Sequence, residues 1–184
     1  MKNIIVIIEQ EVKNRCRSYQ EKTGEDEWRH IELVKFYALE LANKYGADKE
    51  ITALGALLHD INGPSEYGGQ SEHHIYSAEI SVKLLSDLNY PQERIERVKN
   101  CVLNHRGSVV QDKHTLEEEC VADADALAHF VSIAEMFESG WTSASLKGKF
   151  ERDYNKLSDR TRELIKNKYD IMMSILFSDK SFLK

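Results

Sequence analysis

The chain has 184 residues, 41% of them hydrophobic and 30% charged, which suits one soluble domain with a real core and excludes a disordered chain. A net charge of -6 argues against a nucleic-acid duplex or an anionic membrane as partner, so a phosphorylated substrate would need a metal ion or a few local Arg and Lys side chains. Three cysteines, Cys16, Cys101 and Cys120, form no paired motif and read as reduced thiols of a cytoplasmic protein, and only 2 prolines and 9 glycines favour an all-α fold.

The apolar run from Ile4 to Ile8 meets Glu9 and Glu11 at once, too early for a signal sequence or a membrane span. Residues 3–20 therefore read as a first helix, with a strand the lesser alternative for the apolar start. A polar break at 21–24 precedes a second helix over about 26–45, which carries His30, Val34, Tyr37 and Leu41 on one face and ends at Gly46. Asp48 is placed to cap a third helix whose stripe is Ile51, Leu54, Leu58 and Ile61, ending at Asn62-Gly63-Pro64. The breaker-rich stretch 61–71 matches no phosphate-cradling glycine pattern; its residues 62–70 and the 107–116 connection are expected to line the mouth of a pocket.

Ser71 is a natural cap for a fourth helix reaching about Asn89, with His73, Ser77, Ile80 and Leu84 on one face and His74, Ala78, Val82 and Leu85 on the next. Pro91 opens a fifth, with Ile95, Val98, Val102 and His105 in a stripe closed by Arg106-Gly107. Thr115 and Glu118 have capping-box spacing at the start of a helix running towards Met136. Two more helices are expected at about 143–156 and 159–177, the last with Leu164, Ile165, Tyr169, Met172, Ile175 and Leu176 as its apolar face. That face fits either a packing element or the contact surface of a homodimer.

The most informative residues are Leu57-Leu58-His59-Asp60, an apolar helix ending in an adjacent His-Asp pair. Burying such a pair is costly unless its members are hydrogen-bonded to each other or bind a metal. Ligand-type side chains end or flank apolar stripes at His30, His59-Asp60, His73 or His74, His105, and Asp125 or Asp123. A lone histidine on such a face is ordinarily a hydrogen-bonded core residue, and a lone aspartate a cap or ion-pair partner. Five buried polar groups would then need five separate sets of partners, whereas one shared cation satisfies all of them. A His/Asp set without thiolate suits iron, manganese, nickel, zinc or magnesium and leaves room for a water whose pKa falls towards neutrality.

The order His30…His59-Asp60…Asp125 resembles the HD superfamily of metal-dependent phosphohydrolases, over roughly Trp28 to His129. The resemblance rests on His30-Ile31-Glu32-Leu33-Val34, Ala56-Leu57-Leu58-His59-Asp60-Ile61, His73-His74-Ile75-Tyr76-Ser77-Ala78-Glu79-Ile80, Val102-Leu103-Asn104-His105-Arg106 and Ala124-Asp125-Ala126-Leu127. It implies an HD-type bundle of roughly seven or eight helices in one domain over 1–184, with the metal-site core at about 26–130 and helices 143–178 packed on it.

By the same resemblance His30, His59, Asp60 and Asp125 are the ligands of a divalent metal ion, and Asp125 is preferred to Asp123 because Ala124-Asp125-Ala126-Leu127 follows the family's segment. Members with two metals carry two further histidines, at the places of His73 and His105; the second is often part of a His-His pair, whereas Arg106 follows it here. His73 and His105 are thus either ligands of a second ion or groups behind the first that bind phosphate or orient water. The expected activity is hydrolysis of a phosphate monoester or diester in a nucleotide or other small phosphorylated metabolite. Asp60 would take a proton from water, while His73, His105 or Arg106 would stabilise the leaving group. Arg29 and Arg106 are the nearby cations able to fork onto phosphate, and Asp26 either receives a proton from a ligand imidazole or starts its helix. A di-iron oxygenase-type HD enzyme and a non-catalytic nucleotide-sensing HD module are the alternatives.

Overall fold

A computed structural model of the chain describes residues 3–63, 71–106 and 113–177. Among the described residues there are nine helices and no strand: α1 (Ile4–Thr23), α2 (Glu27–Tyr45), α3 (Lys49–Leu58), α4 (His73–Asp87), α5 (Gln92–Asn104), α6 (Leu116–Val131), α7 (Ile133–Glu138), α8 (Ser143–Lys156) and α9 (Asp159–Phe177). The expected all-α bundle is the observed architecture, with nine helices where roughly seven or eight were expected. The helix expected to run from Thr115 to Met136 breaks at Ser132, whose hydroxyl donates to the Ala128 carbonyl and competes with the helical ladder.

Local chemistry sets the boundaries. Asn3, Asp26 and Asp48 each accept backbone N–H groups at the starts of α1, α2 and α3, and Gly24 and Gly46, at φ of +83° and +80°, close α1 and α2. Asp26 therefore serves the helix start. Two expectations shift. Glu72, not Ser71, stands at the cap position of α4, and α3 stops at Leu58 rather than Ile61. From there the chain tightens into turns, with Ile61 N–H donating to the Leu58 carbonyl and Gly63 N–H to that of Asp60. Residues 64–70 and 107–112, expected at a pocket mouth, lie outside the described residues.

The bundle is organised around α3, which packs against α1, α2, α4, α5 and α6. Every residue from Ile51 to Leu58 is buried, and each fully buried leucine contributes about 1.5–3 kcal/mol. At Gly55 the neighbours come close: an added Cβ would lie 2.7 Å from Cys101 Cβ and 3.2 Å from Val121 Cγ2, so glycine is what lets α5 and α6 approach. The opposite, N-terminal end of α3 is tied down by charge. Asp48 pairs with Arg94 and Arg97, Arg97 reaches Glu117, and Tyr90 donates to Glu50.

The C-terminal helices form an outer layer, with α8 against α6 and α9 chiefly against α8. Asp123 anchors this layer. Its carboxylate accepts the Ser158 backbone N–H at 2.9 Å and the Ser158 hydroxyl at 2.6 Å, just before α9 begins. The apolar face expected on α9 does not enter the core: Thr161 is the buried residue of that helix, and Leu164 and Ile175 are exposed. Ring contacts hold α9 instead, with Tyr169 stacked on Tyr154 at 3.9 Å. No described helix is long and apolar enough to cross a membrane.

Candidate metal centre

The end of α3 delivers His59 and Asp60 to one side of a cleft. His59 is the C-cap of its helix and wholly buried, and its Nδ1 faces the Ala56 carbonyl at 2.8 Å. His105 repeats this arrangement at the end of α5, with Nδ1 at 2.6 Å from the Val102 carbonyl. In both cases Nδ1–H donates to backbone, which assigns the tautomer and leaves the Nε2 lone pair aimed into the cleft. The turn after Asp60 is held from α4, where the Ser77 hydroxyl oxygen accepts the Asn62 N–H. His30 enters from α2, His73 from the first turn of α4 and Asp125 from α6.

All six side chains converge. His30 Nε2 lies 3.2 Å from Asp125 Oδ1 and 3.3 Å from His59 Nε2, and His59 Nε2 lies 3.3 Å from Asp60 Oδ2. The other carboxylate oxygen, Asp60 Oδ1, is 3.3 Å from His73 Nε2 and 3.4 Å from His105 Nε2, which are 3.2 Å apart. Asp60 thus stands between two histidine groups and presents one oxygen to each. Among the described residues, three sets have ligand atoms close enough to share an ion: His30, His59 and Asp60; His30, Asp125 and His129; and Asp60, His73 and His105.

Several sequence alternatives resolve here. Asp125 joins the cluster and Asp123 faces away, since positions two apart on a helix differ by about 200° in direction. His73 is in the cluster, whereas His74 is buried beside it with Nδ1 unpartnered. Arg106 lines the cleft and its guanidinium donates to the Ser71 carbonyl. Arg29 is not at the site: it pairs with Glu135 of α7 at 2.7 Å and is largely exposed.

His129 is a member that sequence reasoning missed. Its ring stacks on His30 at 5.2 Å and 15°, and its Nε2 is 3.9 Å from Asp125 Oδ1. Its Nδ1 is held at 3.2 Å by the buried carboxylate of Asp153 on α8. The available signal was spacing, because His129 follows Asp125 by one helical turn and shares its face. With Ser71, Arg106, Lys149 and Lys156, these side chains line a cleft of roughly 410 Å³.

The electrostatics are those of a cation site. Burial alone would raise Asp60, yet His59 and His105 hold its carboxyl well below the usual range. Asp125 is likewise lowered against the effect of burial, by His129 and His30. Burial lowers His30 and keeps it neutral. Burial would also lower His59, but the adjoining Asp60 and Asp125 carboxylates lift it to about 9. In a metal-free site a proton would therefore occupy the place that a divalent ion competes for.

The residues fit such an ion on two further counts. Asp60 Oδ1 is buried without a hydrogen-bond donor, and the Nε2 atoms of His30 and His59 stand 3.3 Å apart, a separation that needs a shared cation between them, either a proton or a metal ion. Imidazole and carboxylate ligands suit a borderline divalent metal, and bound there it would supply Lewis-acid activation of phosphate and water.

Comparison with known proteins gives one family and a consistent fold. The HD domain family model matches residues 28–129. A predicted HD superfamily hydrolase from an uncultured Thermotogales bacterium is similar in structure, with 25% identity, a TM-score of 0.59, and coverage of 89% of this chain and 90% of that one. Bacillus subtilis YpgQ in complex with ADP has 20% identity, a TM-score of 0.64 and coverage of 94% and 93%, a likeness of fold. A sequence relative from Clostridium beijerinckii, itself uncharacterized, is 38% identical over 68 residues, 37% of this chain and only 43% of that protein.

Proposed function

The chain belongs to the HD domain family, and from that premise we propose that it is a metal-dependent phosphohydrolase acting on a nucleotide or another small phosphorylated metabolite. The observation that carries this reading is Asp60, with Oδ2 3.3 Å from His59 and Oδ1 3.3 Å from His73 and 3.4 Å from His105. A carboxylate shared between two nitrogen sets is suited to two divalent ions, one held by His30, His59, Asp60 and Asp125, the other by Asp60, His73 and His105. Such a pair would activate a water and a phosphoryl oxygen together.

The chain's own residues have distinct tasks in this scheme. The backbone carbonyls of Ala56 and Val102 keep His59 and His105 in the ligating tautomer. Asp60, with one oxygen toward each histidine set, orients the attacking water. With His73 and His105 engaged as ligands, Arg106 is the group that faces the leaving oxygen and draws an anion into the cleft. The ADP bound to B. subtilis YpgQ supports a nucleotide as the ligand class. Three buried, unpaired thiols support a cytoplasmic location.

The test is elemental analysis together with a phosphatase and phosphodiesterase screen in manganese, nickel or iron. His59→Ala and Asp60→Ala are expected to lose metal and activity together. Unchanged metal content and turnover in both variants would overturn the proposal. Iron-dependent oxygen consumption without phosphate release would replace it with oxygenase chemistry.

A further inference from the structure

Beyond the ligand cluster, the cleft has a second wall made by α8, which lies outside the segment that matches the HD family. Lys149, nearly two helical turns into that helix, and Lys156, its last residue, both line the cleft. Between them is Asp153, 1% exposed, with Lys149 Nζ at 3.1 Å, Lys156 Nζ at 3.0 Å and His129 Nδ1 at 3.2 Å.

Neutralising one buried carboxylate requires one cation, and here two ammonium groups and an imidazole surround it. The surplus is positive and faces the cleft. Holding both lysines also costs side-chain entropy, since their side chains are only 15% and 25% exposed. Lys149 Nζ is 3.1 Å from His129 Nδ1, and the far nitrogen of that ring is 3.9 Å from Asp125. The ammonium wall is therefore about one imidazole's width from the ligand cluster.

From this arrangement we infer that Lys149 and Lys156 form a second anion subsite, which takes the further phosphate of a phosphoanhydride chain while the first phosphate lies at the metal centre. Asp153 is the positioning residue that fixes both ammonium groups, and His129 is the spacer between the subsites. The preferred ligand class is then a nucleoside di- or triphosphate, or another compound with adjacent phosphates, over a simple monoester. This deepens the proposed hydrolase function and rests on its reading of the cleft as a phosphate site.

The experiment is calorimetric titration of the metal-loaded protein with inorganic pyrophosphate and with inorganic phosphate, read as the ratio of the two affinities. The wild-type chain is expected to prefer pyrophosphate by at least about 10-fold, and Lys149→Gln or Lys156→Gln to lose about 10-fold of that preference each. Lys149→Arg and Lys156→Arg keep the charge and are expected to retain it. Melting curves and metal content accompany every variant, and Lys156→Gln, the more exposed position, decides the matter if Lys149→Gln does not fold.

A ratio unchanged in the glutamine variants, whatever happens to their melting temperature, would overturn the subsite and leave both lysines as counter-ions of Asp153. Failure of the broader reading looks different. If no phosphate ester is turned over but the pyrophosphate preference falls in the variants, the subsite stands and hydrolysis does not.

Discussion

Helices α3 and α9 each carry an apolar stripe in the sequence and have opposite surroundings in the fold. From Ile51 to Leu58 every residue of α3 is buried, whereas α9 buries Thr161 and leaves Ile171 and Ile175 60% and 74% exposed. Helix α3 is enclosed by five neighbours and ends at His59 and Asp60, while α9 lies along α8 and leaves an apolar groove against α2 and α6, lined by Phe36, Leu127, Phe130, Leu164 and Met172. Rigidity is useful at the first place. A ligand set works only when its atoms are held within a few tenths of an ångström, and a helix packed on all sides supplies that hold.

The sharpest way to break the contrast is at the end of α3. His59→Ala removes a candidate ligand nitrogen on a residue that is 0% exposed, and metal affinity should fall by more than about 100-fold, beyond the usual cost of losing only a group behind a ligand. Manganese added to chelator-stripped wild-type protein should raise its melting temperature by mass action, and the variant should not respond. A substitution on α9, such as Ile175→Ser, should leave that response intact.

Packing comes next. Leu54→Ala, at a site with no solvent exposure, should cost about 2–5 kcal/mol in urea or thermal unfolding. Gly55→Ala should also destabilise the fold, because its new Cβ would come within 2.7 Å of Cys101 Cβ. A cost below about 1 kcal/mol at Leu54 would mean that α3 is not the rigid centre.

The cap of α3 gives a smaller, pH-dependent effect. Burial alone would raise Asp48, but the Ile51 N–H and Arg94 leave it below its ordinary value of 3.8. A lowered folded-state pKa contributes stability that is present above the unfolded value and lost as pH falls through the folded one. Stability should therefore decline below about pH 4 partly through this group. Asp48→Ala should cost about 1 kcal/mol at neutral pH and make the acid limb shallower. The smallest effect belongs to α9, where Ile175→Ser should change stability by less than about 0.5 kcal/mol. A loss of several kcal/mol there would show that its face is covered in solution.

Much of the fold was legible because its signals are local. Capping by Asp48 and Thr115, the polar break at 21–24, closure at Gly46, and the stripes of α2 and α5 each involve residues within a few positions of one another. The break at Ser132 and the early end of α3 were less legible, since each turns on one hydrogen-bond choice inside a continuing apolar pattern. His129 escaped notice because its partner Asp153 lies 24 residues further on, in another helix. The fate of the α9 stripe was equally hidden, because an apolar face records a capacity for burial and not whether a neighbour is there to cover it.

By itself the sequence determined that this chain is all-helical and that an adjacent His-Asp pair closes its most apolar helix. Periodicity and caps act within a turn or two, so they can be read from residue order. The tertiary structure alone decided that Asp125 and not Asp123 meets His30, that one oxygen of Asp60 faces His59 while the other faces His73 and His105, and that the lysines of α8 complete the cleft. Those outcomes depend on how helices distant in sequence rotate and pack against α3, and direction in space is a property of packed helices together.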